Sequence, residues 1–374
     1  MKPTERPAGW HFTDDDGSFE LKDPHLTSAL YFPLVNEAGL MSVVTPTLHG
    51  DIKTDHNTFL LPPVSVIDLH NNRTGRNFWV YVTGSGPWSA VGASATQIAQ
   101  RAGKGADSVR VEAGFLWHRL VRSNRKLGLR AEITNFAPPN NDPVELMEVA
   151  LTNISTRSLE IVPTAAIPIY GRSADNLRDH RHVTSLLSRT VTHPYGVVTC
   201  PTLSFDERGH KPNQVMYCVL GAEENGTPPL GFFADLDAFA GEGGCLDWPE
   251  AVVKPGTAAM PTGSQVDGYE ALGGLRFQTV ELAPGETRRY VLVLGILKDE
   301  AQIEAMSKKY AGGAQFNHWL ECNQAYWKEK LEEMKVFTGD PRFDLWFKWV
   351  SVQPVLRRMF GNSFLPYHDY GHGG

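Results

Sequence analysis

Two short stretches of this chain carry side chains that could bind a sugar or a metal ion. The first lies within residues 362–374, NSFLPYHDYGHGG, and its polar and aromatic side chains are Tyr367, His368, Asp369, Tyr370 and His372. Carboxylate and imidazole groups hydrogen-bond hydroxyls, and aromatic rings pack on the C–H faces of sugars. These residues therefore predict part of a sugar-binding wall, with a polar turn after a helix as the alternative.

The second stretch, RSADNLRDHRH at residues 172–182, holds Asp179, His180 and His182. A His-x-His pair can bind zinc from a strand, but no third ligand follows at a suggestive spacing. A solvated loop is therefore the favoured interpretation, and we expect neither a metal nor an organic cofactor. A third interpretation is that this loop reaches the active site of a partner chain.

Six aromatic residues could form a carbohydrate platform: Trp10, Phe12, Phe19, Trp79, Tyr81 and Trp88. An aromatic core inside a β-sandwich is the simpler interpretation. The glycine-rich pieces TGSG (83–86) and GKG (103–105) lack the spacing of a phosphate-binding loop. The sequence contains no Ser nucleophile elbow and no HExxH, so spacing alone identifies no catalytic group.

Composition argues against several classes of protein. The chain has 374 residues, which predicts two units or one large sandwich with appendages. Its 35 basic and 42 acidic residues give a net charge of −7, so no basic excess exists to neutralise nucleic-acid phosphates. No run of about 18 apolar residues occurs, which predicts no membrane span. The four cysteines are scattered and indicate reduced thiols in a cytoplasmic protein: Cys200, Cys218, Cys245 and Cys322.

Up to about residue 297 the pattern indicates β-structure. Val144–Asn153 and Leu159–Ile169 are two apolar runs joined by a polar turn, which predicts a hairpin. A second hairpin is predicted where Leu275–Leu282 meets the turn at residues 283–286 and Arg288–Leu297 returns. Many short strands with few helical patterns predict two packed antiparallel sheets.

The pattern changes at Asp299, which can cap a helix to about Ala311. A second helix is predicted over residues 314–336, with apolar side chains at spacings of three and four. A third begins at Asp340-Pro341, and Pro354 is expected to kink or divide it. We therefore divide the chain into a sandwich (1–297), a helical linker (298–337) and the start of a larger helical domain (338–374).

Three strings together resemble one family. They are YFPLVNEAGLMSVVTPTLHGDIKTDHNTFLLPPV at residues 31–64, RNFWVYV at 76–82, and the NSFLPYHDYGHGG stretch. They are similar to the inverting phosphorylases of glycoside hydrolase family 94, formerly glycosyltransferase family 36. The resemblance covers essentially the whole chain and is nearest to the 1,2-β-oligoglucan phosphorylases, with cellobiose phosphorylases in the same group.

The resemblance implies a galactose-mutarotase-like sandwich, linker helices and the first helix of an (α/α)6 barrel. It implies reversible phosphorolysis of β-glucosides or β-glucans with inversion, giving α-glucose 1-phosphate and using inorganic phosphate as co-substrate. In the family a later Arg-Gly-Trp-Arg-Asp type segment holds the sugar, and the general-acid Asp comes later still. Neither is among these 374 residues, so we expect no catalytic residue in this chain and inactivity without the remaining catalytic portion. The resemblance also implies that the complete enzyme is a homodimer, since family members are typically dimers in which the N-terminal domain reaches the partner's active site.

Two alternatives stay open. One is a stand-alone carbohydrate-binding or scaffold protein without catalysis. The other is a mutarotase-like enzyme, which needs a His and a Glu facing each other across a sheet. The helices after residue 299 favour the phosphorylase, because neither alternative requires them.

Overall fold

The computed structural model describes residues 9–24, 30–64, 75–101, 105–206 and 209–360. The strands are β1 (Trp10–Phe12), β2 (Phe19–Lys22), β3 (Phe32–Val35), β4 (Met41–Val44), β5 (Ile52–Asp55), β6 (Thr58–Leu61), β7 (Asn77–Val82), β8 (Gly86–Ser89), β9 (Ser108–Gly114), β10 (Trp117–Asn124), β11 (Leu129–Phe136), β12 (Val144–Asn153), β13 (Leu159–Ile169), β14 (Arg189–His193), β15 (Gly196–Thr199), β16 (Leu203–Asp206), β17 (Gly209–Pro212), β18 (Met216–Glu223), β19 (Gly231–Asp235), β20 (Gln265–Asp267), β21 (Ala271–Arg276), β22 (Val280–Leu282) and β23 (Thr287–Leu297). The helices are α1 (Ala95–Gln100), α2 (Arg181–Ser185), α3 (Leu236–Ala240), α4 (Glu250–Val253), α5 (Glu300–Tyr310), α6 (Gly313–Glu332) and α7 (Pro341–Phe360).

Two large sheets form the body of the chain, and the predicted sandwich is confirmed. An 11-stranded sheet has the order β1-β2-β9-β10-β11-β12-β23-β18-β15-β14-β20. A 6-stranded sheet has the order β19-β21-β13-β7-β8, with β22 beside β13. A 4-stranded sheet of β3 to β6 contributes to the same apolar core. Every strand pairing among the described residues is antiparallel.

The central strands of the 11-stranded sheet are buried on both faces. On β12, Met147 and Val149 belong to the core between the sheets, whereas Val144 and Leu146 contact the cluster under α5 and α6. The two-residue period of a strand sends alternate side chains to opposite faces. A strand covered on both faces therefore reads as a continuous apolar run, as β12 and β23 do.

Both predicted hairpins are wrong in their pairing, although their strands are present. β12 pairs with β11 and β23 in the large sheet, whereas β13 pairs with β7, β21 and β22 in the other. Similarly, β22 pairs with β13 in the 6-stranded sheet, whereas β23 pairs with β12 and β18 in the 11-stranded sheet. Each turn carries the chain from one sheet to the other. Strands apolar on both faces have no solvent-facing side, and a two-stranded hairpin cannot bury them.

Asn153 joins these two crossings. Its side-chain Nδ2 donates to the carbonyls of Arg157 at 2.7 Å and Leu282 at 2.8 Å. Its backbone carbonyl accepts from Gly285 N at 2.9 Å. One buried amide therefore stabilises both turns at the same end of the sandwich.

The three long helices follow residue 298, as predicted. Asp299 caps α5, since its Oδ1 accepts from Gln302 N at 2.8 Å. α6 ends at Glu332, earlier than the predicted residue 336. α7 runs through Pro354 without a break, so the predicted division is absent. Pro354 is exposed, and water can reach the carbonyl that loses its helical donor there.

The long helices pack on the sandwich and on each other. Trp327 and Leu331 of α6 share a buried cluster with Val352 of α7. The Trp349 ring lies 4.6 Å from Phe115, and its Nε1 donates to a backbone carbonyl in the β1–β2 turn at 2.8 Å. No described helix is long and apolar enough to cross a membrane, and all four cysteines are free thiols.

His118 of β10 lies fully buried inside the sandwich, with its ring 4.8 Å from that of Phe32. Neither ring nitrogen has a hydrogen-bond partner in the described part of the chain. Burial, with a smaller contribution from the nearby Arg76 charge, lowers the pKa of His118 from 6.5 to about 3. The native state therefore holds this imidazole neutral.

His118 should make the protein acid-sensitive. Below pH 6.5 the unfolded chain binds a proton at this residue that the native state excludes. The free energy of unfolding should then fall by up to about 1.4 kcal/mol per pH unit until the native pKa is reached. His118→Leu leaves no partner unpaired and should flatten the dependence measured by urea unfolding between pH 7 and 4.5. Leu120→Val on the same strand should lower stability equally at every pH. An unchanged slope in His118→Leu would refute this account.

Candidate functional site

The outer face of the 6-stranded sheet, the face turned away from the sandwich core, carries one of the described cavities, and a second lies beside the helices that cover this face. Along β7, Phe78 and Val80 belong to the core, so the alternating Asn77 and Trp79 lie on the outer face. β13 pairs with β7 in a register that places Ala166 opposite Asn77. Because alternate side chains of a strand point to opposite faces, Asn77 and Trp79 of β7 and Ala166 of β13 form one continuous surface on the outer face.

Two short helices cover part of this face. Asp235 at the end of β19 caps α3, because its Oδ1 accepts from Ala238 N at 2.7 Å. The apolar side chains of α3 and α4 then pack on Trp79. The buried members of this cluster are Trp79, Ala166, Phe233, Phe239, Ala251, Val252 and Leu272. Trp79 therefore forms part of a covered core and not an exposed platform.

Arg276 of β21 holds α4 against the sheet. Its guanidinium donates to Thr164 Oγ1 at 2.8 Å, to the Pro255 carbonyl at 2.8 Å and to the Ala251 carbonyl at 2.6 Å. Burial lowers the pKa of Arg276 to about 10, so the group stays charged at neutral pH. Its hydrogen bonds run to neutral oxygens, which is a structural role for this cation.

The loop that contains the predicted residues Asp179, His180 and His182 lies beside the covering helices. A 3₁₀ turn at Ala174–Arg178 precedes it, and Asp179 Oδ2 accepts from Asn176 Nδ2 at 2.8 Å. His180 is the first residue before α2. All three predicted residues are exposed. Among the residues that the structure describes, no group of three or more His, Cys, Asp or Glu could hold a metal ion.

His182 lines a groove of about 350 Å³ between α2 and the segment at residues 240–246. We call it the α2 groove. Glu270 also lines this groove, and Arg181 Nε is 2.9 Å from Glu270 Oε1. His182 and Glu270 come from a helix and a loop. They do not face each other from paired strands, which is the arrangement that the mutarotase-like alternative requires.

A second cavity, of about 410 Å³, lies on the outer face near α1. We call it the sheet-face cavity. Its lining residues are Thr47, His49, Gly75, Asn77, Trp79, Val91, Ala93, Ile98, Arg101, Ala166, Pro168, Cys245, Leu246 and Asp247. It shares Cys245 and Leu246 with the α2 groove, so one segment separates the two sites.

Comparison with known proteins identifies the family. The model of the glycosyl hydrolase 94 supersandwich domain matches residues 54–312, more than half of the chain. This chain belongs to glycosyl hydrolase family 94. The match includes the central strands of both large sheets, α5 and the outer-face residues described above other than Thr47 and His49.

One relative of this chain is the cellobionic acid phosphorylase of Neurospora crassa, which is 25% identical over 248 residues. That alignment covers 66% of this chain and 27% of the relative, so the chain spans little more than a quarter of that protein. A bacterial glucoamylase complexed with acarbose aligns with 82% of this chain and 37% of its own, at 8% identity and a TM-score of 0.49. A putative aldose 1-epimerase of Escherichia coli K12 aligns with 72% of this chain and 99% of its own. Its sequence identity is 13% and its TM-score is 0.36.

The predicted site residues of this family 94 chain are only partly placed. Asp179, His180 and His182 lie together on one exposed loop. Tyr367, His368, Asp369 and His372 lie outside the described residues. The sheet-face cavity was missed by sequence reasoning. Alternation in RNFWVYV could have placed Asn77 beside Trp79 on one face, but no pattern connects them to His49 or Asp247.

Proposed function

We propose that this chain is the supersandwich portion of a glycoside phosphorylase that cleaves β-glucosides or β-glucans with inorganic phosphate. The reaction inverts the anomeric centre and gives α-glucose 1-phosphate. Membership of family 94 and the phosphorylase relative support this assignment. Residues 1–297 would be the sandwich, 298–337 the linker, and 338–374 the start of a helical catalytic barrel.

The observation that carries the proposal is an exposed apolar stripe on α7. Phe343, Trp346 and Val350 are 44%, 50% and 40% exposed. Their spacing of three and four residues puts them on one side of the helix. Trp349 and Val352 use a different side to contact the sandwich. A helix that is apolar on two sides needs a second partner, and a following helical barrel would supply it.

Catalysis is assigned to that barrel. Phosphate is already an anionic nucleophile, so an inverting phosphorylase needs one general acid and no base to activate water. The described carboxyls with a raised pKa have structural partners instead. Burial raises the pKa of Glu148, which lies 3.0 Å from Arg289, and burial raises that of Asp235, which caps α3. Neither lines a described cavity.

We further propose that the complete enzyme is a homodimer in which the α2 loop contacts the catalytic cleft of the partner. Val183 on α2 and Leu186 directly after this helix are 63% and 61% exposed, and Tyr269, which lines the α2 groove, is 53% exposed. Such an apolar surface favours burial against another protein. Asp179, His180 and His182 would then approach the partner's sugar, while Tyr367, His368, Asp369 and His372 line the wall of their own barrel.

Residues 1–374 alone should release no α-glucose 1-phosphate from cellobiose or β-1,2-glucan with phosphate. Loss of a general acid alone costs about 10²–10⁴-fold. Supplying the catalytic portion, in cis or as a second chain, should restore release in a coupled assay for glucose 1-phosphate. Robust turnover by residues 1–374 would contradict the assignment of catalysis to the barrel.

Trp346→Lys tests the stripe on α7. The change should leave the melting temperature of residues 1–374 nearly unchanged, because the ring is half exposed there. In the complete enzyme it should lower stability by about 2–3 kcal/mol, the value of burying a large apolar side chain. Trp248→Lys is the matched control, since Trp248 is 40% exposed on another surface. Equal effects of Trp346→Lys in both proteins would exclude docking on this stripe.

Leu186→Asp tests the dimer surface in the complete enzyme. The charge should raise the dimer dissociation constant at least tenfold in sedimentation velocity. Leu230→Asp is matched in exposure, because both leucines are 61% exposed. Leu230 lies just before the first residue of β19, whereas Glu270 contacts the residue after its last. The Leu230→Asp change is therefore away from the proposed interface and should leave the dimer intact. Dissociation by both variants, or by neither, would argue against this interface.

A further inference from the structure

The sheet-face cavity has the size and lining of a small-molecule site. Its volume of about 410 Å³ falls in the usual range for ligand pockets, about 300–1,000 Å³. Asn77 and Trp79 of β7 form its floor, and Ile98 of α1 stands in one wall. The floor is part of a rigid sheet, so its polar groups are held in place before any ligand arrives.

The floor presents one hydrogen-bond donor to the cavity. Asn77 is 8% exposed, and its Oδ1 accepts from Ser89 Oγ at 2.8 Å. This bond orients the amide and leaves Nδ2 as a donor. Trp79 is fully buried, and its Nε1 has no acceptor in the described part of the chain. A ligand in the cavity cannot reach this covered N–H, so the donor that the floor offers is Asn77 Nδ2.

The rim carries one group of each charge and an oriented imidazole. Thr47 Oγ1 and His49 Nδ1 are 2.9 Å apart, which fixes the ring of His49. In the described part of the chain, the guanidinium of Arg101 donates one hydrogen bond, a long one of 3.5 Å to the Gly92 carbonyl. No described carboxylate lies within salt-bridge distance of it. Asp247 stands at the same rim.

This mixture fits a polyhydroxylated ligand without charge. Each sugar hydroxyl both donates and accepts, so it can bond to amide, guanidinium and carboxylate groups at once. Apolar side chains such as Ile98 and Pro168 can pack on the C–H faces of the ring. A phosphate would gain from Arg101 but would be repelled by Asp247. The lining therefore favours a neutral sugar over an anion.

We propose that the sheet-face cavity binds a hexose unit, either a free sugar or the end of an oligosaccharide. This site lies on the supersandwich and needs no residue of the catalytic barrel. It is therefore independent of the proposed phosphorolysis. Binding by residues 1–374 and turnover by the complete enzyme can each fail without the other.

The test measures binding by isothermal titration calorimetry and ligand-observed NMR on residues 1–374. The probes are glucose, cellobiose, a β-1,2-linked glucose disaccharide and inorganic phosphate. We expect saturable binding of at least one sugar with a dissociation constant on the order of 1 mM, about −4 kcal/mol. A disaccharide that binds more tightly than glucose would identify a chain end as the ligand, and equal affinity would identify a single hexose.

Two variants connect the binding to this cavity. Ile98→Trp should fill its mouth and weaken sugar binding at least tenfold. Ile154→Trp is the matched control, since the two isoleucines are 44% and 41% exposed, and it should bind as the unmodified chain does. Asn77→Asp keeps the acceptor for Ser89 but removes the donor, and it should also weaken binding at least tenfold. Melting temperatures show whether each variant is folded.

Three outcomes overturn the proposal. One is the absence of saturable binding for every sugar. Another is normal sugar affinity in folded Ile98→Trp. The third is competition by inorganic phosphate that disappears in Arg101→Gln, which would assign the cavity to an anion.

Discussion

A buried ion pair between Arg76 and Glu145 holds three parts of this structure together. Arg76 Nε lies 2.7 Å from Glu145 Oε1, and both side chains are fully buried. Arg76 also donates to the Gly50 carbonyl at 3.1 Å and to Ser42 Oγ at 2.8 Å, in and beside the 4-stranded sheet. Glu145 belongs to β12 of the large sheet. The pair therefore links the small sheet, the start of β7 and the large sheet.

This contact has strict geometric requirements. Gly50 adopts φ +131°, and a Cβ there would come within 1.9 Å of the Val43 carbonyl. Glu145 Oε1 also accepts from Asn135 Nδ2 at 2.9 Å. Removal of one charge would leave the other buried without a partner, which costs about 3–5 kcal/mol. Asn77 follows Arg76 directly and Trp79 lies two residues further on, so this anchor fixes the start of the strand that carries both.

Local patterns predicted the elements well and their pairing poorly. The cap at Asp299 is a contact three residues away, so sequence alone revealed it. The partner of a strand is chosen by the whole sheet, and β12 finds β23 across Val144↔Gly295. The same limit applies to function. Asp179, His180 and His182 are neighbours in sequence and could be singled out as candidates, whereas Asn77, His49 and Asp247 line one cavity only because the fold brings a strand and two loops together.

The crossings at Asn153 also have a consequence for how the chain folds during synthesis. β12 lies at the centre of the large sheet, yet the strand on one of its sides is not translated until about residue 297. Until then a long, apolar strand edge stays open, and such edges template aggregation. Pairings this distant also fold slowly. The nascent sandwich therefore carries an open apolar edge throughout the synthesis of the residues between β12 and β23, and the order of its strands sets how long that edge stays open.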